Sequence, residues 1–189
     1  MKRIIIILFG IILLSFAAEA AHLEFMGIPI NGTISSFQTK LLAKGATVGK
    51  HNKDLPSGIR SFDGVFAGKD CIIIVWYNQR TKHVYQVRAI VECISLEVAH
   101  NTFDYYKNLL NQKYSGVALT SDMLEEQSEP FDFYMMVIEP PIVVGAKLIG
   151  SISVNIIDYD TYPASYGVAI TYEDFENSQK NEQNIIDDL

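Results

Sequence analysis

The sequence of 189 residues contains two cysteines, one tryptophan and little clustered positive charge. It has 15 Lys and Arg and 22 Asp and Glu, which give a formal net charge of −7. No basic run follows Lys2 and Arg3. Because phosphate binding requires clustered cations, this balance argues against nucleic acid as a partner. The hydrophobic share of 49% indicates a folded core and argues against intrinsic disorder.

The motifs of the common catalytic and metal-binding classes are also missing. Segments 45–50 and 64–69 have three residues between their glycines, where a phosphate-binding loop has four, and neither continues into Lys-Ser or Lys-Thr. No G-x-S-x-G, H-E-x-x-H or EF-hand spacing occurs. The sequence therefore predicts no catalytic residues, no cofactor and no metal. Whether the protein is an enzyme stays open, with a non-enzyme favoured.

The one long apolar run covers residues 4–18 and follows the basic pair Lys2-Arg3. It ends at Ala18-Glu19-Ala20, so the segment has the charged start, apolar centre and small-residue cleavage site of a secretory signal peptide. A membrane-spanning helix needs about 20 apolar residues, and this run is shorter. We expect cleavage after Ala20, which changes the net charge from −7 to −8. The expected location is the periplasm or the extracellular space, without stable membrane insertion.

Two cysteines in an exported protein raise the question of a disulfide. They bracket two apolar runs, one opening with Cys71 and the other closing with Cys93, which predict a β-hairpin. Pairing Tyr77 with His83 places Cys71 opposite Ala89. The cysteines are then four residues out of register, roughly 13 Å along the strand, and a disulfide requires Cα atoms within about 7 Å. This favours two buried free thiols, while a bridge stays open if the hairpin has a bulge or a slipped register.

Two helices are predicted from their caps and apolar spacing. Thr33 is a good N-cap for a helix over 34–44, and Gly45 supplies its end. Ser95 is the corresponding cap for a second helix that runs to about Lys113, whose charge suits a helix C-terminus.

The stretch 27–33, Gly-Ile-Pro-Ile-Asn-Gly-Thr, leads into the first helix. Pro29 fixes the backbone, Asn31 and Gly32 make a turn, and Thr33 begins the helix. This pattern is explained by architecture and requires no chemistry.

The predicted strands follow each helix as antiparallel hairpins, at 70–93 in the first half and at 147–158 with 165–173 in the second. This order predicts an α+β protein built from two helix-plus-antiparallel-sheet modules, αβββ-like, with the helices packed on one face of the sheet. Duplication of one module is an open interpretation, as is folding of 21–173 as a single domain. The expected boundaries are 1–20 for the signal peptide, 21–94 and 95–173 for the modules and 174–189 for an acidic tail.

Segments 25–45, 109–116 and 185–189 together resemble a family of small exported proteins from gut Bacteroides-type bacteria. That family shares a G-I-P-[IL]-[DN]-G-T start, a K-Y-G turn and an acidic I-D-D-L end; here Ser115 interrupts the K-Y-G turn. The resemblance implies no catalytic residues. Its helix-plus-sheet repeats are similar in architecture to the β-lactamase inhibitor protein and to small outer-membrane assembly lipoproteins, which are binders and not enzymes.

The two predicted faces of the hairpin 70–93 differ in composition. The face expected in the core carries Cys71, Ile73, Val75, Tyr77, Tyr85, Val87, Ala89, Val91 and Cys93. The opposite face carries Ile72, Ile74, Trp76, Val84, Gln86, Arg88, Ile90 and Glu92. Tryptophan and arginine among isoleucines are typical of protein interfaces. The loop aromatics Tyr159 and Tyr162 are expected at the rim of this face if the second hairpin lies alongside.

These observations predict an exported, non-catalytic protein-binding module, such as an inhibitor, an immunity protein or an envelope-associated protein. Its partner would be another envelope or extracellular protein. The candidate binding residues are Ile72, Ile74, Trp76, Gln86, Arg88, Tyr159 and Tyr162.

Two alternatives stay open. The acidic tail or another part of the chain could cover this face. The protein could also be a small envelope hydrolase or a carbohydrate-binding protein, with an unrecognised site where Asp158, Tyr159, Asp160 and Tyr162 converge.

Overall fold

The computed structural model describes residues 22–50, 52–115, 118–121, 133–138, 148–159 and 165–187. The predicted signal peptide lies outside these residues, as do Asp160 and Tyr162. No helix within the described ranges has the length and hydropathy needed to cross a membrane.

The helices begin and end close to where their capping residues predict. Helix α1 is Ile34–Ala43 and helix α2 is Leu96–Lys113. The Thr33 hydroxyl accepts the Ser36 N–H at 3.4 Å, and the Ser95 hydroxyl accepts the Val98 N–H at 3.2 Å, so each satisfies a backbone donor that has no partner within its helix. Gly45 has a φ of 89° beyond the end of α1, a conformation that glycine adopts without strain.

Ten strands occur in the described part of the chain, and eight of them form one antiparallel sheet. The order across this sheet is β3-β4-β5-β6-β10-β9-β8-β7, and β1 pairs only with β2. The strands are β1 Glu24–Phe25, β2 Ile28–Pro29, β3 Thr47–Val48, β4 Ile59–Phe66, β5 Lys69–Tyr77, β6 Val84–Cys93, β7 Ala118–Ser121, β8 Phe133–Ile138, β9 Gly150–Asp158 and β10 Tyr166–Asp174.

The sheet is assembled from two equivalent halves. In each half a helix precedes four strands that pair in sequence order, and the last strands of the two halves, β6 and β10, pair antiparallel at the centre. The predicted segments 21–94 and 95–173 thus contribute four strands each to a single sheet. The predicted α+β class with an antiparallel sheet is confirmed.

The core lies between α1, α2 and one face of the sheet. The apolar side of α1 and that of α2 join buried strand residues in one cluster. Phe25 stacks on Phe66 with ring centroids 4.9 Å apart, and the Tyr106 hydroxyl donates to the Phe66 carbonyl at 2.8 Å. This last bond satisfies a phenol that is 1% exposed, so α2 is held to the sheet by packing and by a buried hydrogen bond.

The stretch 27–33 connects the start of the fold to the β5–β6 turn. Gly32 has a φ of 98°, and its carbonyl accepts the Val84 N–H at 3.0 Å. The Ile34 N–H donates to the Lys82 carbonyl at 2.8 Å. The turn at Asn31 and Gly32 therefore directs α1 onto the sheet, in agreement with an architectural role for this stretch.

The predicted register of the hairpin is wrong by two residues along most of its length, one arising in the turn and one at a β-bulge. Tyr77 pairs with Val84 and not with His83. The Asn78 N–H instead donates to the His83 carbonyl at 2.9 Å, and the Lys82 N–H returns to the Asn78 carbonyl at 2.8 Å. The Asn78 side chain also accepts two backbone N–H groups within the turn. Because Asn78 and His83 are bonded to each other, the loop between them has four residues, 79–82, one fewer than the predicted five.

A β-bulge adds the second residue of the shift. Opposite Trp76 and Tyr77, strand β6 places Gln86 and Val84, so Tyr85 is an extra residue. Val84, predicted on the outer side, is fully buried in the core. Tyr85, predicted in the core, is half-buried outside it. Beyond the bulge the alternation of inward and outward residues agrees with the prediction.

Cys71 and Cys93 are both buried and free. In the observed register Ile73 lies opposite Ala89, so Cys71 is two residues closer to Cys93 along the strand than predicted. Burial raises the pKa of the Cys71 thiol from 9.0 to about 11, which opposes formation of the reactive thiolate.

The acidic tail forms helix α3, Phe175–Asp187. The Asp174 carboxylate begins the helix by accepting the Asn177 N–H at 3.0 Å. Its other oxygen bonds His22 Nδ1 at 2.9 Å and the Leu23 N–H at 3.2 Å. Asp174 is fully buried, so this cluster ties the start of the described chain to the end of β10.

Candidate functional site: the outer face of the sheet

The side of the sheet opposite α1 and α2 is the candidate site and is called the outer face. It consists of the strand residues that alternate with the core residues, and pairing aligns them in rows across β4, β5, β6 and β10. The three central rows are Ile59-Trp76-Gln86-Glu173, Ser61-Ile74-Arg88-Thr171 and Asp63-Ile72-Ile90-Ala169.

Five of the seven predicted binding residues lie together on this face: Ile72, Ile74, Trp76, Gln86 and Arg88. All five are half-buried, because neighbouring side chains of the sheet cover part of each one. Their proximity follows from the β5–β6 pairing. The face therefore has the mixed apolar and charged composition that the alternation predicts.

Trp76 and Arg88 form the central contact of the outer face. The Arg88 guanidinium lies 5.1 Å from the Trp76 ring centroid, and its Nε donates to the Thr171 hydroxyl at 2.9 Å. Burial lowers the pKa of Arg88 from its ordinary value, although arginine still keeps its charge at neutral pH. A stacked and hydrogen-bonded cation loses little side-chain freedom on binding a partner, which favours this pair as a binding anchor.

One end of the outer face is acidic. A groove of about 550 Å³ has apolar side chains of Val65, Ile72 and Ile90 together with the carboxylates of Asp63 and Glu92. Val65 is 53% exposed. The groove combines apolar surface with negative charge and lies at the end of the face away from Trp76.

Tyr159 lies beside this acidic end, next to Gly167 of β10. A Cβ atom at position 167 would be 2.5 Å from the Tyr159 hydroxyl and 3.2 Å from Ile90 Cγ2, so glycine leaves the space that the ring occupies. Burial and the Glu92 carboxylate raise the pKa of Tyr159. Its position agrees with the predicted rim contact, and Tyr162 lies outside the described residues.

Helix α3 borders the opposite end of the outer face. Its Asn181 side chain accepts a hydrogen bond from Asn78 Nδ2 at 2.9 Å, and its Asn184 side chain bonds Arg80. Both partners lie in the β5–β6 turn, beyond the central rows. The acidic tail thus lies against the end of the sheet near Trp76, and the open alternative is that the tail or another part of the chain covers this face.

The asparagines of α3 are functional candidates that the sequence analysis missed. Asn177, Asn181 and Asn184 occur at i, i+4 and i+7, which is the spacing of one helix face. Asn177 Nδ2 donates to the Ile30 carbonyl at 2.7 Å. This spacing is visible in the sequence, but nothing there indicates that the β5–β6 turn supplies partners for Asn181 and Asn184.

The alternative site around Asp158 is only partly described. Asp158 ends β9 opposite Tyr166, while Asp160 and Tyr162 lie outside the described residues. Within the described ranges no three His, Cys, Asp or Glu side chains form a group that could hold a metal ion.

Comparison with known proteins adds no assignment: no protein-family model, curated protein or solved structure matches the chain. The chemistry of the outer face and of its surroundings therefore carries the functional argument. The arrangement can anchor a partner through an aromatic–arginine pair, apolar contacts and an acidic groove.

Proposed function

We propose that the protein is an exported, non-catalytic binding module that holds another envelope or extracellular protein against its outer face. The observation that carries this proposal is the Trp76–Arg88 pair, which lies among isoleucines on a side of the sheet away from α1 and α2. Tryptophan and arginine are the residue types that most often dominate binding energy at protein interfaces.

The dimensions of the outer face support a protein partner. Four strands spaced about 4.8 Å apart, with about seven residues each, give a surface roughly 15 to 20 Å across. Protein interfaces of standard size bury about 800 Å² on each partner. With a flat area of about 300 to 400 Å², the outer face supplies up to about half of that contact, and the aromatic ring of Tyr159 extends it at the acidic end.

The charge of the outer face defines the kind of partner. Asp63, Asp70, Glu92 and Glu173 are acidic, whereas Arg88 is the one cation in the described rows of β4, β5, β6 and β10 on this side. A partner with a basic contact surface would have a complementary potential, and its association rate would fall as salt screens the charges. Export is part of the proposal and rests on the N-terminal apolar run that is followed by Ala18-Glu19-Ala20.

Affinity capture from the native periplasm and culture fluid, followed by mass spectrometry, tests the proposal. Wild type, Trp76→Ala and Arg88→Ala serve as baits, and Ile94→Ala is the matched control because Ile94 is 89% exposed at the end of β6. We expect at least a tenfold loss of the captured protein with the first two variants and none with the control, while circular dichroism shows that all three variants stay folded.

The proposal fails if Trp76→Ala unfolds the protein, since Trp76 would then belong to the core. It also fails if both variants retain the partner. The intact mass of the protein recovered from the periplasm tests export separately. A mass that begins at Ala21 agrees with export and cleavage, whereas a mass that still begins at Met1 contradicts them.

A further inference from the structure

A second concave region lies beyond the Trp76 end of the outer face, between α3, the β5–β6 turn and the chain that enters β4. It encloses about 550 Å³, within the roughly 300 to 1,000 Å³ of small-molecule sites. This region is called the terminal cleft. Its main side chains are Trp76, Tyr85, Asn78, Gln79, Asn181 and Asn184.

The β-bulge builds the aromatic part of the terminal cleft. Without the extra residue, strand alternation would point Tyr85 into the core, as the sequence pattern predicts. The bulge instead places Tyr85 in the cleft with Trp76. Burial and the Glu173 carboxylate raise the pKa of Tyr85, so its phenol stays neutral near pH 7. Bulges that re-aim a side chain are frequent beside binding sites.

Carboxamides build the polar part. Asn78 Nδ2 donates to Asn181 Oδ1 at 2.9 Å, and Gln79 Nε2 donates to the Ser57 carbonyl at 3.0 Å. A carboxamide has two N–H donors and an acceptor oxygen. One bond at each group therefore leaves the Asn181 amino group and the Gln79 oxygen able to bond a ligand.

Arg80 is the one charged side chain among the lining residues of the terminal cleft that the structure describes, and no Asp or Glu is among them. Its guanidinium bonds the neutral side chain of Asn184. A cationic ligand would find no counter-ion among these lining residues. A wholly apolar ligand would cover the carboxamides and leave their hydrogen bonds to water unreplaced, which is costly.

We propose that the terminal cleft binds a glycan. A sugar ring has hydroxyl groups around its edge and C–H groups on its face, so it can bond the carboxamides and pack on the Trp76 and Tyr85 rings at the same time. The cleft binds the sugar without cleaving it, because glycoside hydrolysis requires a pair of carboxyl groups that the described lining does not contain. This inference goes beyond the proposed protein-binding role.

The protein has one tryptophan, so the emission of Trp76 reports directly on the terminal cleft. The full exported chain is titrated with cellotetraose, mannotriose, N,N′-diacetylchitobiose and maltotriose, each to about 10 mM. We expect a saturable change of emission with at least one of these sugars.

Tyr85→Ala and Asn181→Ala should weaken that binding at least tenfold. Gln179→Ala is the matched control, because Gln179 is exposed on the same helix as Asn181, and it should bind as wild type does. If Tyr85→Ala unfolds, the binding of Asn181→Ala alone tests the inference. Circular dichroism verifies that Asn181→Ala is folded.

The inference is overturned if none of the four sugars gives a saturable response. It is also overturned if Asn181→Ala binds as tightly as the wild type does. Ile72→Ala separates this inference from the proposed function. Ile72 lies at the acidic end of the outer face and outside the terminal cleft, so this variant should lose the protein partner and keep the sugar.

Discussion

The two faces of the β5–β6 hairpin are both apolar, yet only one of them is core. Ile73, Val75 and Val87 are fully buried against the helices, whereas Ile72 and Ile74, near them in sequence, are half-buried on the outer face. Apolar composition therefore does not separate the core face from the outer face. The difference lies in the charged and aromatic residues that interrupt the outer face, and in the position of α1 and α2 on the other side.

Truncation of one isoleucine on each face tests this difference most directly. Ile73→Ala should lower the free energy of unfolding by about 2 to 5 kcal/mol, because it leaves a cavity in a packed core. Ile74→Ala should cost about 1 kcal/mol, since that side chain is half-buried and lies outside the core cluster. Urea unfolding of both variants measures the difference.

Equal losses from the two truncations would contradict the assignment of the faces. They would mean that Ile74 is packed as tightly as Ile73, so another segment would have to cover the outer face. Partner binding by Ile74→Ala provides an independent readout, because Ile74 is a candidate anchor and Ile73 is not.

The core holds titratable groups in their neutral forms, as the surroundings of the outer face do with Tyr85 and Tyr159. Burial raises the pKa of Cys71 from 9.0 to about 11, and burial also raises the pKa values of Tyr106 and Tyr172. The unfolded chain loses these protons at lower pH than the folded chain. The contribution of these groups to the free energy of unfolding is therefore fully present below about pH 9 and is lost as the pH rises towards 11.

Thermal unfolding between about pH 7 and pH 11 measures this loss, which we expect to be smaller than that of Ile73→Ala. Cys71→Val should remove the thiol contribution and leave the part due to the two tyrosines. A melting temperature that stays constant across the range would mean that these groups titrate alike in the folded and unfolded chains.

Local signals in the sequence were sufficient for much of the fold. Thr33 and Ser95 mark the helix starts because a cap acts within three residues, and strand alternation assigns Ile72 and Trp76 to one face. The bulge at Tyr85 could not be predicted in this way. It lies beside the turn that the Asn78 side chain closes and beside a backbone bond from strand β6 to the stretch 27–33, which is a contact between distant segments.

Only the part of the candidate site that lies within the β5–β6 hairpin could be predicted from the sequence. Trp76 and Arg88 lie on neighbouring strands joined by a single turn, so the pairing of two strands brings them together. The contacts of Arg88 with Thr171 and of Asn78 with Asn181 join residues 83 and 103 positions apart. They exist because β6 pairs with β10 at the centre of the sheet, and no local pattern fixes that pairing.

The smallest expected effect concerns the cation on the outer face. Arg88→Lys keeps the charge but loses the Nε–H that donates to Thr171 and the planar group that stacks on Trp76. We expect a loss of about 0.5 to 1.5 kcal/mol in the free energy of unfolding. A double-mutant cycle with Thr171→Val, followed by urea unfolding, separates the hydrogen bond from the stacking. A coupling energy of zero would show that Arg88 is not held by Thr171, and the outer face would then present a mobile cation where the structure has an oriented one.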